Sequence, residues 1–326
     1  MRWQDLVDRA IELPVAPSYT RLGSAVRRRI DHWTAPTDYD LHGRTVVVTG
    51  ATSGLGRSLA CTLAERHADV VLVGRDPTRT ETVRAELDGI GEGTVTAALA
   101  DMGDLDAVRS LADVLRRDHD RIDVLVHNAG ALTADRRVSP QGIELTVASQ
   151  VLGPFLLTAL LLDRLRASAV SRVITVSSGG MYSQPLRIGS LEMGPDDYDG
   201  TTAYARAKRA QVTLNELWGA AVDPAEVVFH AMHPGWADTP GVRESLPTFR
   251  KIVGPALRTP EEGADTAFWL ATDDAAAGST GRFWHDRRVR PIHLLPKTRR
   301  SDTPARRADL WRWCVERTGI EDPRGT

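Results

Sequence analysis

The chain has 326 residues, 42% of them hydrophobic, enough to enclose a large core in one domain with extensions. A formal net charge of −2 gives no global attraction to nucleic acid, and none is expected as a partner. The two cysteines, Cys61 and Cys314, come without a CxxC pair or a His/Cys cluster. That argues against a disulfide scaffold or a structural zinc site, so no metal is expected and a reducing, cytoplasmic setting fits.

Residues 1–43 read as an extension with two amphipathic segments, 3–13 and 19–33, the second carrying Arg27, Arg28 and Arg29. Helices packed on the main domain are expected there, with contact to a membrane surface or a partner as the alternative. No basic leader runs into an apolar stretch and a cleavage site, so no signal peptide is expected. From Arg44 to residue 285 short apolar runs alternate with helical patterns. Strands are expected at 45–49, 70–73, 94–99, 124–126, 173–176 and 227–231, with helices at 55–66, 80–87, 105–117, 141–166 and 203–221. The apolar run 151–162 is too short to span a bilayer and contains Pro154, which makes it a buried helix. Strands separated by helices imply parallel pairing with right-handed crossovers. The fold class expected is therefore α/β: a doubly wound parallel sheet in three α/β/α layers, a single domain with an N-terminal helical extension. Ligands bind at the C-terminal strand ends of such a sheet. Residues 233–259, rich in Pro and Gly, read as an irregular, mobile region over the site. A helix at 261–271, a short strand at 282–284 and a basic tail, 286–326, come next.

The first strand runs into Thr49-Gly50-Ala51-Thr52-Ser53-Gly54-Leu55-Gly56. Glycines let the backbone turn tightly and approach a pyrophosphate, and the helix that opens there offers free N–H groups to the anion. The spacing is TGxxxGxG. A turn without a ligand has the same look, so the loop gains meaning only together with motifs farther along the chain. The second strand ends in Gly74-Arg75-Asp76. Arginine pairs with a phosphate through two parallel N–H bonds, which favours NADP(H) over NAD(H). Asp76 would instead select a ribose hydroxyl, unless it caps the helix that starts at Pro77. Asp101, before Met102, would accept from an adenine amino group or cap a turn. Asn128-Ala129-Gly130 ends the fourth strand with small residues that let the backbone approach the cofactor, and Asn128 would brace the central strands.

Tyr204 and Lys208 stand at i and i+4, on one helix face. A free phenol has a pKa of about 10 and is a poor base near neutrality. A neighbouring ammonium, and the oxidised nicotinamide ring, would favour phenolate and lower that value, so that Tyr204 trades a proton as hydride moves. Lys208 would also hold the nicotinamide ribose. Basic charge is otherwise almost wholly arginine, and Lys208 is one of three lysines. A compact ammonium is hard to replace with guanidinium. Ser178, at the end of the fifth strand, would donate to a substrate oxygen as negative charge develops there. After the sixth strand, Pro234 and Gly235 redirect the chain past the nicotinamide and Thr239 would bond its carboxamide. Trp236 would line the substrate pocket or anchor the core.

In order and location, Thr49–Gly56, Asn128–Gly130, Ser178, Tyr204/Lys208 and Pro234-Gly235 resemble the short-chain dehydrogenase/reductase family over about residues 44–271. The likeness implies a Rossmann-like fold, a bound NAD(P)(H), and hydride transfer between the nicotinamide and a carbonyl or alcohol carbon. The run from Met232 to Val242, the run from Gly281 to Arg288 and the arginine-rich N-terminal extension are similar to the family's dehydrogenase/reductase member 12 branch. The wider neighbourhood implies a lipophilic small-molecule substrate. Where the family carries an asparagine that holds a water in a proton relay, this chain has Gln150, whose extra methylene implies slower proton exchange. The family also implies pairing of two copies through the helices 141–166 and 203–221. The 26 positions from Ser178 to Tyr204 carry Met181, Tyr182, Leu186, Ile188, Leu191 and Met193, which would wall an apolar pocket or form a surface loop. Two rival readings remain: a dinucleotide-binding sensor with little chemistry, and an epimerase or dehydratase using the same Tyr and Lys.

Overall fold

The computed structural model describes residues 3–12, 16–245 and 247–324. Its centre is a sheet of eight strands in the order β3-β2-β1-β4-β5-β6-β7-β8. The strands are β1 Thr45–Thr49, β2 Asp69–Gly74, β3 Val95–Leu99, β4 Val124–His127, β5 Ser171–Val176, β6 Val227–Met232, β7 Arg282–His285 and β8 Arg288–Val289. The first seven pair in parallel and β8 returns antiparallel on β7. Val46, Val47 and Val48 of β1 are all buried, as an unbroken apolar run requires when helices cover both faces of a sheet.

On one face lie helices Leu105–Asp118, Gly153–Leu160 and Gly200–Ala221, whose Leu111, Leu156 and Leu214 share a core with Val47 and Leu125. On the other face, helices Gly54–Glu65, Pro77–Leu87 and Pro260–Thr272 place Leu59, Leu87 and Phe268 against Val46 and Leu72. The chain leaves β1 toward β2 and β3, then crosses back to β4. The strand order therefore reverses between β1 and β4, and a crevice opens at their C-terminal ends.

Four regions depart from the expected pattern. The helical stretch expected at 141–166 starts at Leu145 and is broken, with a π-helical turn at Ala148–Leu152. The cause is Pro154: it has no N–H to give to the carbonyl four residues earlier, that of Gln150. The region 233–259 is not irregular throughout. It holds helices Pro240–Ser245 and Pro247–Val253, with Arg243 and Arg250 both bonded to Asp238. The Ser178–Tyr204 insert is divided: Met181, Leu186 and Leu191 turn into the core, while 194–197 are exposed. The tail forms β8 and helices Pro296–Ser301 and Pro304–Thr318, the latter driving Trp311 onto Phe155 and Trp218.

The N-terminal segment forms helices Trp3–Glu12, Ala16–Tyr19 and Arg21–Ile30; Leu13 lies outside the described residues. It packs on the β7–β8 hairpin, whose two turn residues, Asp286 and Arg287, both have positive φ, as a tight hairpin requires. Asp286 is 1% exposed and accepts from Arg258 at 2.6 and 2.9 Å and from Arg27 at 2.7 Å. Arg27 in turn donates to Asp8 and Glu12.

Candidate active site

The glycine loop sits at the crevice, and its neighbours explain its composition. Thr49 Oγ1 donates to the Val126 carbonyl and accepts from the N–H groups of Asn128 and Ala129. Asn128 Nδ2 donates to the carbonyls of Thr49 and Gly50, so it braces β1 against β4. A Cβ on Gly56 would lie 2.3 Å from that amide nitrogen and from the Gly50 carbonyl oxygen, which is why only glycine fits. Ser53, the N-cap of helix Gly54–Glu65, makes no side-chain cap bond. That helix start is left to receive an anion, so the loop fits a dinucleotide pyrophosphate. Thr52 lies against Gly74, and the Leu55 side chain packs toward Gly263, leaving its backbone to the loop. Thr239 lies over Gly54, joining the segment after β6 to the glycine loop.

At the far end of the crevice Arg75 is exposed, while Asp76 accepts from the Arg79 N–H at 2.8 Å and caps helix Pro77–Leu87. Asp101 accepts from the Gly103 N–H, closing its own turn. The Met102 side chain is buried in the core and does not face the crevice.

Tyr204 and Lys208 project from helix Gly200–Ala221, whose start Asp199 caps by accepting from Thr202. Ser178, just beyond β5, faces the Tyr204 hydroxyl and favours its ionised form, and its Oγ accepts from the Gly180 N–H. Lys208 is 3% exposed; its Nζ donates to the Val176 carbonyl at 2.9 Å and lies 5.2 Å from the Tyr204 ring centre. Here the expectation of a phenol acidified by its ammonium neighbour needs correction. Burial raises the Tyr204 pKa, with Ser178 opposing, and burial lowers Lys208 to about 7. Desolvation disfavours both charged forms, and the lysine expected to acidify the phenol is itself only part-charged near neutrality.

Gln150 is fully buried in the π turn. Its Nε2 donates to the Ala131 carbonyl, its Oε1 has no hydrogen-bond partner, and its side chain leans on Gly130. The backbone carbonyl that Pro154 frees accepts from Gln211 Nε2 at 2.7 Å. Sequence reasoning misses Gln211; a proline four residues after Gln150 is the signal that points to it. Pro234 and Gly235 follow β6. Gly235 has φ +76°, and a Cβ there would strike the Arg258 guanidinium.

The site residues expected on the glycine loop, after β4, after β5, on helix Gly200–Ala221 and after β6 thus converge on one edge of the sheet, whereas the Met102 side chain does not join them. A polar cavity of about 470 Å³ lies elsewhere, lined by Trp33, Trp269, Arg287 and Arg288 among others. Its two arginines are already paired, with Asp265 and Asp31. Among the described residues no helix is long and apolar enough to cross a membrane.

Residues 44–248 match the family model described as short chain dehydrogenase, and the chain belongs to that family. It is an NAD(P)(H)-dependent oxidoreductase that moves a hydride between the nicotinamide and a carbonyl or alcohol carbon. Human dehydrogenase/reductase SDR family member 12 is 38% identical over 296 residues, 90% of this chain and 91% of that protein. Mouse retinol dehydrogenase 14 is 31% identical over 274 residues, 79% of this chain and 81% of that one. A Beutenbergia cavernae structure holding NADP at low occupancy superposes with a TM-score of 0.63 at 28% identity, covering 76% of this chain and 96% of that chain. The likeness to the member 12 branch read from the sequence is borne out.

Proposed function

We propose that this protein is a cytoplasmic, NADP(H)-preferring reductase or alcohol dehydrogenase for lipophilic carbonyl compounds, with Ser178, Tyr204 and Lys208 as its catalytic residues. The observation that carries the reading is the convergence of Ser178, Tyr204 and the buried Lys208 beside the crevice where the strand order reverses. When bound, the cofactor supplies the hydride to the carbonyl carbon. In the reduction direction the raised Tyr204 pKa keeps its phenol protonated, so its hydroxyl gives a proton to the carbonyl oxygen. Ser178 donates a hydrogen bond to the same oxygen as charge builds on it. Lys208 holds the nicotinamide ribose hydroxyls.

Gly50, Gly54 and Gly56, with the backbone of Thr52, Ser53 and Leu55, cradle the pyrophosphate. Asn128, Ala129 and Gly130 flank the nicotinamide half, and Pro234, Gly235 and Thr239 face its carboxamide. Asp101 and the Met102 backbone border the adenine. Preference for NADP(H) is supported by Arg75, exposed at the end of β2, and by Asp76, whose carboxylate is engaged as a helix cap. An apolar substrate is supported by the part-exposed Trp236, which follows Gly235, and by the name retinol dehydrogenase carried by a relative. The free cysteines Cys61 and Cys314 fit a reducing compartment.

The experiment is turnover of NADPH and NADH with a panel of aldehydes, ketones and steroid-like alcohols, read at the nicotinamide absorbance, with Tyr204→Phe alongside. Loss of turnover in the variant by about 100-fold or more is expected for a missing proton donor. Cofactor binding without turnover on any substrate would favour a sensor, and full activity in Tyr204→Phe would remove the mechanism.

A further inference from the structure

The N-terminal segment does not merely coat the domain; it reaches the C-terminal edge of the sheet. Three consecutive carbonyls, those of Ser18, Tyr19 and Thr20, are held there. Ser18 accepts from Arg258 at 2.9 Å and Arg27 at 3.2 Å, Tyr19 from the Trp236 N–H at 2.7 Å, and Thr20 from Arg258 at 3.3 Å. This fixes the Tyr19 side chain, 6% exposed, between the ends of β5, β6 and β7. Its ring meets His233 edge-on at 4.4 Å, His285 at 5.1 Å and Trp236 at 5.7 Å.

His233 is the next link. Its Nδ1 accepts from the Gly179 N–H at 3.2 Å. Burial holds this histidine well below its ordinary pKa, so the ring is neutral and carries its single proton on Nε2. That Nε2 is buried with no oxygen or nitrogen partner, so hydrogen bonding fixes the ring on one side only. The other restraint is packing. A Cβ placed on Gly179 would lie 3.1 Å from His233 Nε2 and 3.1 Å from Tyr19 Cε2, so the three groups are in close contact. Gly179 directly follows Ser178.

We infer that Tyr19 is a positioning residue of the active site: it holds the His233 ring, which fixes the Gly179 amide and with it the direction of the Ser178 hydroxyl. The inference rests on the assignment of Ser178 to the reaction. It gives the N-terminal segment a part in catalysis through a chain of contacts, Tyr19 to His233 to Gly179 to Ser178. Tyr19 itself does not exchange protons in this scheme, since burial raises its phenol to about 12. Its effect is steric, and a phenylalanine ring preserves it.

The test compares the full-length wild type with Tyr19→Ala, Tyr19→Phe and, as a stability control, Leu87→Ala, a core change in helix Pro77–Leu87. Tyr19→Leu replaces Tyr19→Ala if melting shows the latter unfolded. For a carbonyl substrate that the wild type turns over, kcat of Tyr19→Ala falls by about tenfold or more, as misplacement of a reacting group predicts. KM and the NADPH dissociation constant stay near wild type, and Tyr19→Phe restores kcat. Hydrogen exchange quickens in peptides spanning Ser177–Met181 and His233–Ala237 and stays unchanged at β1 and β4. The exchange readout needs no substrate, so absence of turnover in the wild type sinks the proposed function without deciding this inference. Wild-type exchange in Tyr19→Ala, or an equal loss of kcat in Leu87→Ala, overturns it.

Discussion

Lys208 gives a hydrogen bond to the carbonyl of Val176 at 2.9 Å, and no carboxylate contributes to its pKa. Held at about 7, it is mostly neutral at pH 8 in the free protein. Ribose hydroxyl oxygens placed on it by a bound cofactor stabilise the ammonium and raise that pKa. Cofactor binding therefore takes up a proton at pH 8, and little at pH 6 where Lys208 is already charged. Calorimetry in two buffers of different ionisation enthalpy measures this; identical heats at pH 8 contradict it. Lys208→Met removes the uptake.

Arg75→Ala weakens NADPH by about tenfold or more, the scale of a lost charge-assisted pair, and leaves NADH nearly unchanged. Fluorescence titration of both cofactors reads the ratio. Equal losses would refute the 2′-phosphate assignment and make Asp76 the group to test next.

Gln150 stands where the family resemblance puts the relay asparagine; its Nε2 is spent on the Ala131 carbonyl and its backbone carbonyl on Gln211. Proton resupply to Tyr204 is expected to be slow compared with hydride transfer. Single-turnover hydride transfer then outpaces steady-state turnover, and Gln150→Asn narrows the gap. The steady-state rate in heavy water, compared between the two proteins, is the measurement. Equal single-turnover and steady-state rates in the wild type would show that no such bottleneck exists.

Asp286 neutralises two buried guanidinium groups, those of Arg27 and Arg258. Removing it leaves Arg258 without its carboxylate and Arg27 with Asp8 and Glu12 alone, so Asp286→Ala costs about 3–5 kcal/mol of stability by urea unfolding. An unchanged midpoint would show that the cluster is not needed. Against burial, Asp8 is held below the ordinary carboxylate range by Arg290 and Arg27, and Asp286 by His285, Arg258 and Arg27. A depressed carboxyl contributes stability in full above its unfolded pKa, near 4, and loses it as pH falls through its folded value, about 2 for Asp8. The N-terminal segment is therefore expected to come free below pH 4, seen as pepsin cleavage there while the sheet remains protected.

Much of the fold and of the site is legible in the chain itself. The valine runs of β1, β2 and β6 are buried on both faces, and such strands announce themselves by composition alone. Tyr204 and Lys208 share a helix face by spacing. Asp76 and Asp101 each leave two roles open in the sequence, and both are seen in the local one, as caps. What stays hidden depends on long-range contact. Tyr19 meets His233 across more than two hundred residues, and nothing local marks either one. Helix Pro304–Thr318 has its signals, with Thr303 capping, Pro304 in the first turn and Gly319 at φ +63° after it. Its buried stripe of Leu310, Trp311 and Cys314 is too narrow to stand out among the arginines.

That last helix has a consequence for assembly. Trp311, fully buried, packs on Phe155 and Trp218, so the tail covers part of the two helices through which the family resemblance implied pairing of two copies. Without helix Pro304–Thr318 those aromatic rings would face water, so the tail closes a surface that the sheet-covering helices leave open.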